Sequence, residues 1–361
     1  MTIKQHLLLI CILIFPFASL AQSNIAYFSI NAKNIHGKTE DNLTFHRLDT
    51  LKHKDLPQHI KRLLTNSAGL FVSFTTNSSS IWAKWCVTSS KAASNLTPIA
   101  NKGLDLYIKR DGKWLYAGSG KPNATCSEGN LIKNTSNQVK ECLLYLPLYD
   151  ETKSLEIGVE KNASFILTPN PFAKKILIYG SSILQGASAS RPGLAYPAII
   201  ARNTSFNFIN MGLSGSAKME KDVANTIAAI DADVYVLDCI PNSSTQQIKE
   251  RTAYLVNTIR EKHPQTPIVI IPSSVIGSGS WDQQIAATVK EKNETIKIEY
   301  NKLKKAGLKK LYFIDAEDLI GTDNEGTVDG IHPNDLGFSR MLKILEPAIC
   351  KILKKEKIKT D

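Results

Sequence analysis

The sequence contains no Cys-x-x-Cys pair and no cluster of Cys and His at zinc-ligand spacing, which excludes a zinc ribbon and a dithiol redox centre. Neither a G-x-S-x-G elbow nor a Walker phosphate loop is present; Gly186-Ala187-Ser188 and Gly212-Leu213-Ser214-Gly215 complete neither pattern. Beyond the N-terminus, no apolar run reaches the roughly 20 residues of a bilayer crossing. Internal repeats are absent. With 43% apolar residues, and only 20 Gly and 15 Pro in 361 positions, the chain is neither disordered nor collagen-like. It is long enough for two packed units around a sizeable core.

What is present begins with a targeting pattern. Lys4 precedes the apolar run LLLICILIFPF at residues 7–17, and Ser19-Leu20-Ala21 follows. This order predicts an export signal over residues 1–21, cleaved before Gln22, and hence a periplasmic or extracellular protein with no integral membrane segment after cleavage. Removing Cys11 leaves an odd number of cysteines. Cys126 and Cys142 flank a polar stretch and are candidates for a disulfide in an oxidising compartment, while Cys239 and Cys350 sit in apolar contexts as expected buried thiols. Lys+Arg total 44 against 33 Asp+Glu, a net charge of +11. Much of the excess lies near the end, at Lys302, Lys304, Lys305, Lys309 and Lys310 and again at Lys351, Lys354, Lys355, Lys357 and Lys359. Such runs are expected as solvated helix faces. They suit polyanionic glycans, whereas nucleic acid does not suit an exported protein.

Patterning changes near residue 172. From residue 26 to 170 the signals are short and of period two: Leu70, Val72 and Phe74 alternate with Phe71, Ser73 and Thr75. Segments 104–108 and 114–116 are joined through Asp111-Gly112, a hairpin signal. This predicts a β-sandwich over residues 22–172. After Pro169-Asn170-Pro171, continuous apolar strands at 175–179, 234–237, 268–271 and 311–314 alternate with helical patterns such as Ile248, Leu255 and Ile259. Strands apolar on both faces, interleaved with helices, predict an α/β three-layer unit with a parallel sheet over residues 173–361.

Four segments of the second unit converge on one chemistry. A hydroxyl sits where the first strand ends, in Gly180-Ser181-Ser182-Ile183. The second strand runs into Asn210-Met211-Gly212-Leu213-Ser214-Gly215. The third ends in Ile240-Pro241-Asn242-Ser243, and far downstream lies Asp329-Gly330-Ile331-His332-Pro333. In such sheets functional groups collect beyond the carboxyl ends of the strands. Serine attacks only when a base takes its proton and a third group orients that base. Ser182 is therefore the candidate nucleophile, His332 the base and Asp329 its orienting carboxylate. The backbone N–H groups of Ser182 and Gly215 and the side-chain amide of Asn242 are candidate oxyanion donors. His263, in a polar loop before a strand, is no competing base. No metal or organic cofactor is implied.

These four segments resemble the blocks of the SGNH (GDSL-type) hydrolases, named for Ser, Gly, Asn and His. The resemblance covers about residues 174–353. It implies a serine esterase acting through an acyl-enzyme, with Ser182, Gly215, Asn242 and the Asp329/His332 pair in the family's roles. Ser181 stands where the family name has Asp, and Ile240-Pro241-Asn242-Ser243 replaces the usual Gly-Thr-Asn-Asp. Upstream, Gly103-Leu104-Asp105-Leu106-Tyr107 is similar to the Gly-x-Asp-Leu-Tyr sequence of β-modules that precede SGNH units in exported bacterial proteins, implying a jelly-roll-like accessory.

Export, basic charge and family together point to O-acetyl groups on polysaccharides as substrate. A lysophospholipase or thioesterase of the same fold, and a glycan-binding protein with an inactive hydrolase unit, are the alternatives. Arg191 is expected in a salt bridge or at the substrate, Trp281 at a helix start in the core or on a sugar platform, and Trp82, Trp85 and Trp114 in the core of the first unit, with stacking on glycans as the alternative. Composition carries no oligomeric state.

Overall fold

A computed structural model describes residues 24–360 other than 41, 90–92, 274–276 and 316–317. The export signal and its cleavage position lie outside the described residues. No helix among the described residues is long and apolar enough to cross a membrane.

Two antiparallel sheets face each other in the first part of the chain. One orders the strands Ile25–Ser29, Thr152–Glu160, Ile81–Val87 and Cys126–Ile132; the other orders Lys113–Gly120, Leu104–Arg110, Lys140–Tyr145, Phe71–Thr76 and Phe165–Leu167. Val72, Phe74, Ile81, Ala83, Trp85, Leu104, Leu106, Leu144, Leu155 and Ile157 fill the space between them. Alternate residues of each strand meet there, as the two-residue period of a strand requires. The hairpin turn at Asp111-Gly112 has φ of 51° and 75°, the left-handed pair that matches strand twist.

The sheets differ on their outer faces. Strand Ile81–Val87 alternates between buried and half-exposed, whereas Phe71–Thr76 and Lys140–Tyr145 are buried almost throughout. Phe71, Tyr107, Leu143 and Tyr145 point away from the sandwich core into a second cluster shared with Ile176, Phe206 and Phe208. The second sheet is thus covered on both faces, by its partner sheet and by the rest of the chain.

That remainder is a five-stranded parallel sheet in the order Phe206–Gly212, Ala173–Gly180, Val234–Asp238, Ile268–Ile270, Leu311–Phe313. Helices Tyr196–Thr204 and Asp335–Lys355 cover Ile176, Ile178, Val234 and Val236 on one face. Helices Lys221–Ala228, Thr245–Lys262 and Gln283–Lys305 cover Leu177, Tyr179, Tyr235 and Leu237 on the other. The fold is an α/β three-layer unit preceded by a β-sandwich. Its first strand lies between the second and third, so the connections leave in opposite directions and open a crevice at Gly180.

An early segment crosses to the far side. Leu48, Leu56 and helix Gln58–Thr65, through Ile60 and Leu64, pack on the parallel-sheet face that carries Leu177 and Ile209. Arg47 is fully buried and donates to the carbonyl oxygens of Asn210 and Gly212 at 3.0 and 2.8 Å, and to those of Leu63 and Asn66. Burial lowers its pKa to about 10.

The cysteine pairing corrects the sequence expectation. Cys86 bonds Cys126, its neighbour across strands Ile81–Val87 and Cys126–Ile132. Cys142 is a free thiol in the other sheet, buried in the sandwich core and pushed up to about 12 by that burial. The polar stretch after Cys126 begins with a strand rather than a loop, which carries Cys126 sideways to Cys86. Cys239 is buried as expected, and Cys350 is half-exposed. Lys302, Lys304, Lys305, Lys351, Lys354 and Lys355 are exposed on the last turns of two helices, whereas Lys309, Lys310, Lys357 and Lys359 follow the helix ends and are not on a helix face.

Candidate active site

Strand Ala173–Gly180 delivers the chain into a tight elbow. A Cβ on Gly180 would lie 2.5 Å from the Asp238 carbonyl oxygen, so only glycine permits this approach of the two strands. Ser181 is extended and its Oγ accepts the Ile183 N–H at 3.2 Å, capping the one-turn helix Ser182–Gln185. Serine and aspartate are interchangeable as N-caps, which accounts for Ser181 where an Asp is expected. Because the cap is Ser181, the hydroxyl of Ser182 is left for other partners.

That hydroxyl lies 3.0 Å from Nε2 of His332. Nδ1 of the same ring lies 2.8 Å from Oδ2 of Asp329. The other carboxylate oxygen accepts the backbone N–H groups of Ile331 and His332 at 3.1 and 2.8 Å, a local turn that the three-residue spacing makes possible. Burial would raise the pKa of Asp329, but the His332 and Ile331 N–H groups and the imidazole hold it down to about 2. With Nδ1–H donating to this permanent anion, Nε2 presents a lone pair to the Ser182 hydroxyl. Such a chain can move a proton from serine to imidazole as the oxygen attacks a carbonyl carbon.

Gly215 and Asn242 follow the two strands that pair with the elbow's strand on either side. Gly212 and Asp238, which end the adjacent strands, pair with Gly180 on its two sides. Gly215 has φ of +68°, and a Cβ there would meet nothing within 4 Å, so its backbone, not crowding, demands glycine. Asn242 ends a short 3-10 turn, and its Oδ1 accepts the Ala217 N–H at 3.3 Å. This bond orients the amide and leaves the Nδ2 hydrogens for another acceptor. Helix Thr245–Lys262 is capped by Ser244 with Gln247 in a capping box, so Asn242 is not consumed as a cap. Beneath the elbow, Tyr196 donates to buried Asp238 at 2.8 Å, and desolvation pushes that carboxyl up to about 7.

A structure from Bacteroides ovatus assigned to the GDSL-like lipases is 54% identical over 92% of this chain and 98% of its own, with a TM-score of 0.89. The chain belongs to the GDSL-like lipase/acylhydrolase family. The family's profile matches residues 173–350, and that of the GxDLY N-terminus of SGNH-hydrolase-type esterases matches residues 25–165. Two more distant structures share the fold. The salicylyl-acyltransferase SsfX3 of a tetracycline biosynthetic pathway is 19% identical over 92% of this chain and 99% of its own, with a TM-score of 0.71. The acetyl xylan esterase Est2A from Butyrivibrio proteoclasticus is 13% identical over 91% and 99%, with a TM-score of 0.57. No curated protein matches the sequence significantly.

The GxDLY element of this GDSL-like chain is a strand whose two faces serve two units. Leu104 and Leu106 enter the sandwich core. Between and after them, Asp105 takes Nη1 of Arg191 at 2.8 and 3.0 Å and the Gly193 N–H at 2.9 Å, while Arg202 lies 3.9 Å over the Tyr107 ring. Arg191 therefore forms the salt bridge, and its guanidinium also stacks on Tyr116 at 3.8 Å.

Sequence reasoning missed the support that the sandwich gives this GDSL-type elbow. Tyr149 donates to the Ser182 carbonyl oxygen at 3.2 Å, and Gln185 donates to Leu148 O at 3.2 Å while accepting the Ser214 N–H at 3.1 Å. Asn95 reaches the Asp329/His332 pair. No local pattern marks these positions, because each acts across more than 25 residues. Trp281 is 84% exposed and not core. Trp85 is buried, and Trp82 and Trp114 are partly exposed. A cleft of about 370 Å³ has one apolar side, Ile183, Pro241, Ile285, Val289 and Ile331, and one polar side, Ser273, Gln284, Thr288 and Lys292. Three of these adjoin Ser182, Asn242 and His332 in sequence. Lys292 donates to the Pro241 carbonyl oxygen at 3.1 Å, and burial lowers its pKa.

Proposed function

We propose that the chain is an exported serine esterase that hydrolyses O-acyl, chiefly O-acetyl, esters on polysaccharides. The observation that carries this reading is the unbroken hydrogen-bonded series from Asp329 through His332 to the Ser182 hydroxyl. Ser182 Oγ attacks the ester carbonyl as His332 takes its proton. The oxyanion is held by the Ser182 and Gly215 N–H groups and the Asn242 amide. His332 then protonates the departing sugar oxygen, leaving an acyl-enzyme. A water, deprotonated by His332, releases the acid and restores Ser182. Residues 22–172 act as the accessory β-unit and residues 173–361 as the hydrolase. Preference for acetyl draws on the basic surface, the export signal and the acetyl xylan esterase that shares this fold, the last being fold-level analogy only.

Acetate release from acetylated polysaccharides, followed by mass spectrometry, tests the substrate. Covalent labelling of Ser182 by a fluorophosphonate tests the nucleophile. Labelling absent from Ser182 argues for a glycan-binding protein with an inactive hydrolase unit. The apolar side of the 370 Å³ cleft, formed by Ile183, Pro241, Ile285, Val289 and Ile331, favours one second reading, a lysophospholipase or thioesterase that takes longer acyl chains. Aryl octanoate outpacing aryl acetate in kcat/KM selects that reading. In either case Asn242→Ala is expected to lower kcat on the order of a hundredfold, through loss of one oxyanion donor, with KM little changed. Steady-state kinetics at unaltered rate in that variant remove Asn242 from the oxyanion site.

A further inference from the structure

Asn95 belongs to the sandwich but sits at the acid–base pair of the other unit. It lies between strand Ile81–Val87 and helix Pro98–Lys102, and two polar clasps fix its loop. The Ser188 hydroxyl donates to the Asn95 carbonyl oxygen at 2.9 Å, and the Thr97 hydroxyl donates to Ser190 O at 2.7 Å. Both partners lie just beyond the elbow helix that begins at Ser182. Held there, Nδ2 of Asn95 is 3.2 Å from Oδ2 of Asp329 and 3.3 Å from Nδ1 of His332.

The two contacts are not equivalent. Nδ1 carries the proton that it gives to Asp329, so it has no lone pair to accept another. The Asn95 amide therefore donates to Oδ2. That oxygen then receives two donors, the imidazole and the amide, while Oδ1 receives two backbone N–H groups. Every strong acceptor direction of the carboxylate is occupied, and it cannot turn without breaking charge-assisted bonds. Asp329 is the only charged group bonded to His332 among the described residues.

We propose that Asn95 is a positioning residue, a sandwich side chain that locks Asp329, and through it the His332 ring, in line with Ser182. The inference rests on the triad reading above. It makes productive proton transfer depend on the sandwich being seated against the α/β unit. Asn95 is half-exposed and its side chain makes no other bond among the described residues, so its replacement is compatible with folding.

The test uses the full chain. Turnover of an aryl acetate and the rate of fluorophosphonate labelling are measured against pH for Asn95→Ala, Asn95→Asp and Ser182→Ala. Asn95→Ala is expected to lower kcat and the labelling rate about tenfold with KM unchanged within about twofold, as loss of a hydrogen bond to a charged group allows. Asn95→Asp places a second carboxylate beside the imidazole and favours its protonated form. The acidic limb of both profiles then moves up by about one pH unit. A role confined to docking the loop moves the melting temperature and leaves the pH limb where it was. Wild-type rates and limbs in both Asn95 variants, with Ser182→Ala inert, overturn the positioning role alone. Turnover and labelling retained by Ser182→Ala overturn the triad reading beneath it.

Discussion

Ser182→Ala is expected to lose at least a thousandfold in kcat on an aryl acetate while keeping its fold. The size of the loss follows from the unit behaviour of such sites: removing the nucleophile leaves only the binding and oxyanion contributions. Folding is spared because the side chain, although only 7% exposed, caps nothing. The elbow helix is capped by Ser181, and the backbone of Ser182 keeps its bond from Tyr149. What the variant gives up in stability is one hydrogen bond to His332, about 1 kcal/mol. Kinetics paired with a thermal melt separate the two effects. A variant that still turns over at near-normal rate takes Ser182 out of the reaction.

A large effect of a different kind is expected at Asp105. Its carboxylate is 0% exposed and is held by Arg191 and the Gly193 N–H. Burial raises the pKa of Asp105 more than its donors lower it, while Asp105 and Tyr107 beside it raise that of Arg191 against burial. Breaking one side is severe, since the guanidinium stays where the anion was. Asp105→Ala is expected to destabilise the protein by about 3–5 kcal/mol. Replacing both partners, as in Asp105→Leu with Arg191→Met, is expected to recover most of that loss. Chemical denaturation of the single and double variants measures both. Equal destabilisation in the two would mean that the ion pair itself, not the orphaned charge, supplies the stability.

These two sites also mark where sequence reasoning reaches and where it stops. Ser182, Gly215 and Asn242 are short local patterns just past the ends of strands, which the parallel sheet gathers on one rim, and the Asp329/His332 pair is a short pattern in the loop before helix Asp335–Lys355. The hydrogen-bonded series of Ser182, His332 and Asp329 joins two of those four fragments, 150 residues apart. The Gly-x-Asp-Leu-Tyr element is legible as a pattern but not as a joint, because only the packed structure shows Asp105 facing one unit while Leu104 and Leu106 face the other. Spacing points Cys126 to the wrong partner, since a lateral disulfide depends on which strands are neighbours, and no interval along the chain encodes that. Asn95 and Tyr149 leave no trace at all. Each is an ordinary polar residue in a loop until the two units meet.

The segment around Arg47 has a consequence for how the protein can be divided. A cut at the change of sheet near residue 172 would carry away Leu48, Leu56, Ile60 and Leu64 and bare the layer over Leu177 and Ile209. It would also strip the Asn210 and Gly212 carbonyls of the guanidinium that bonds them. The later half is therefore no transplantable cassette. Recombination between relatives that swaps one half must bring along residues 47–64, or supply a substitute for their greasy strap and its single buried cation.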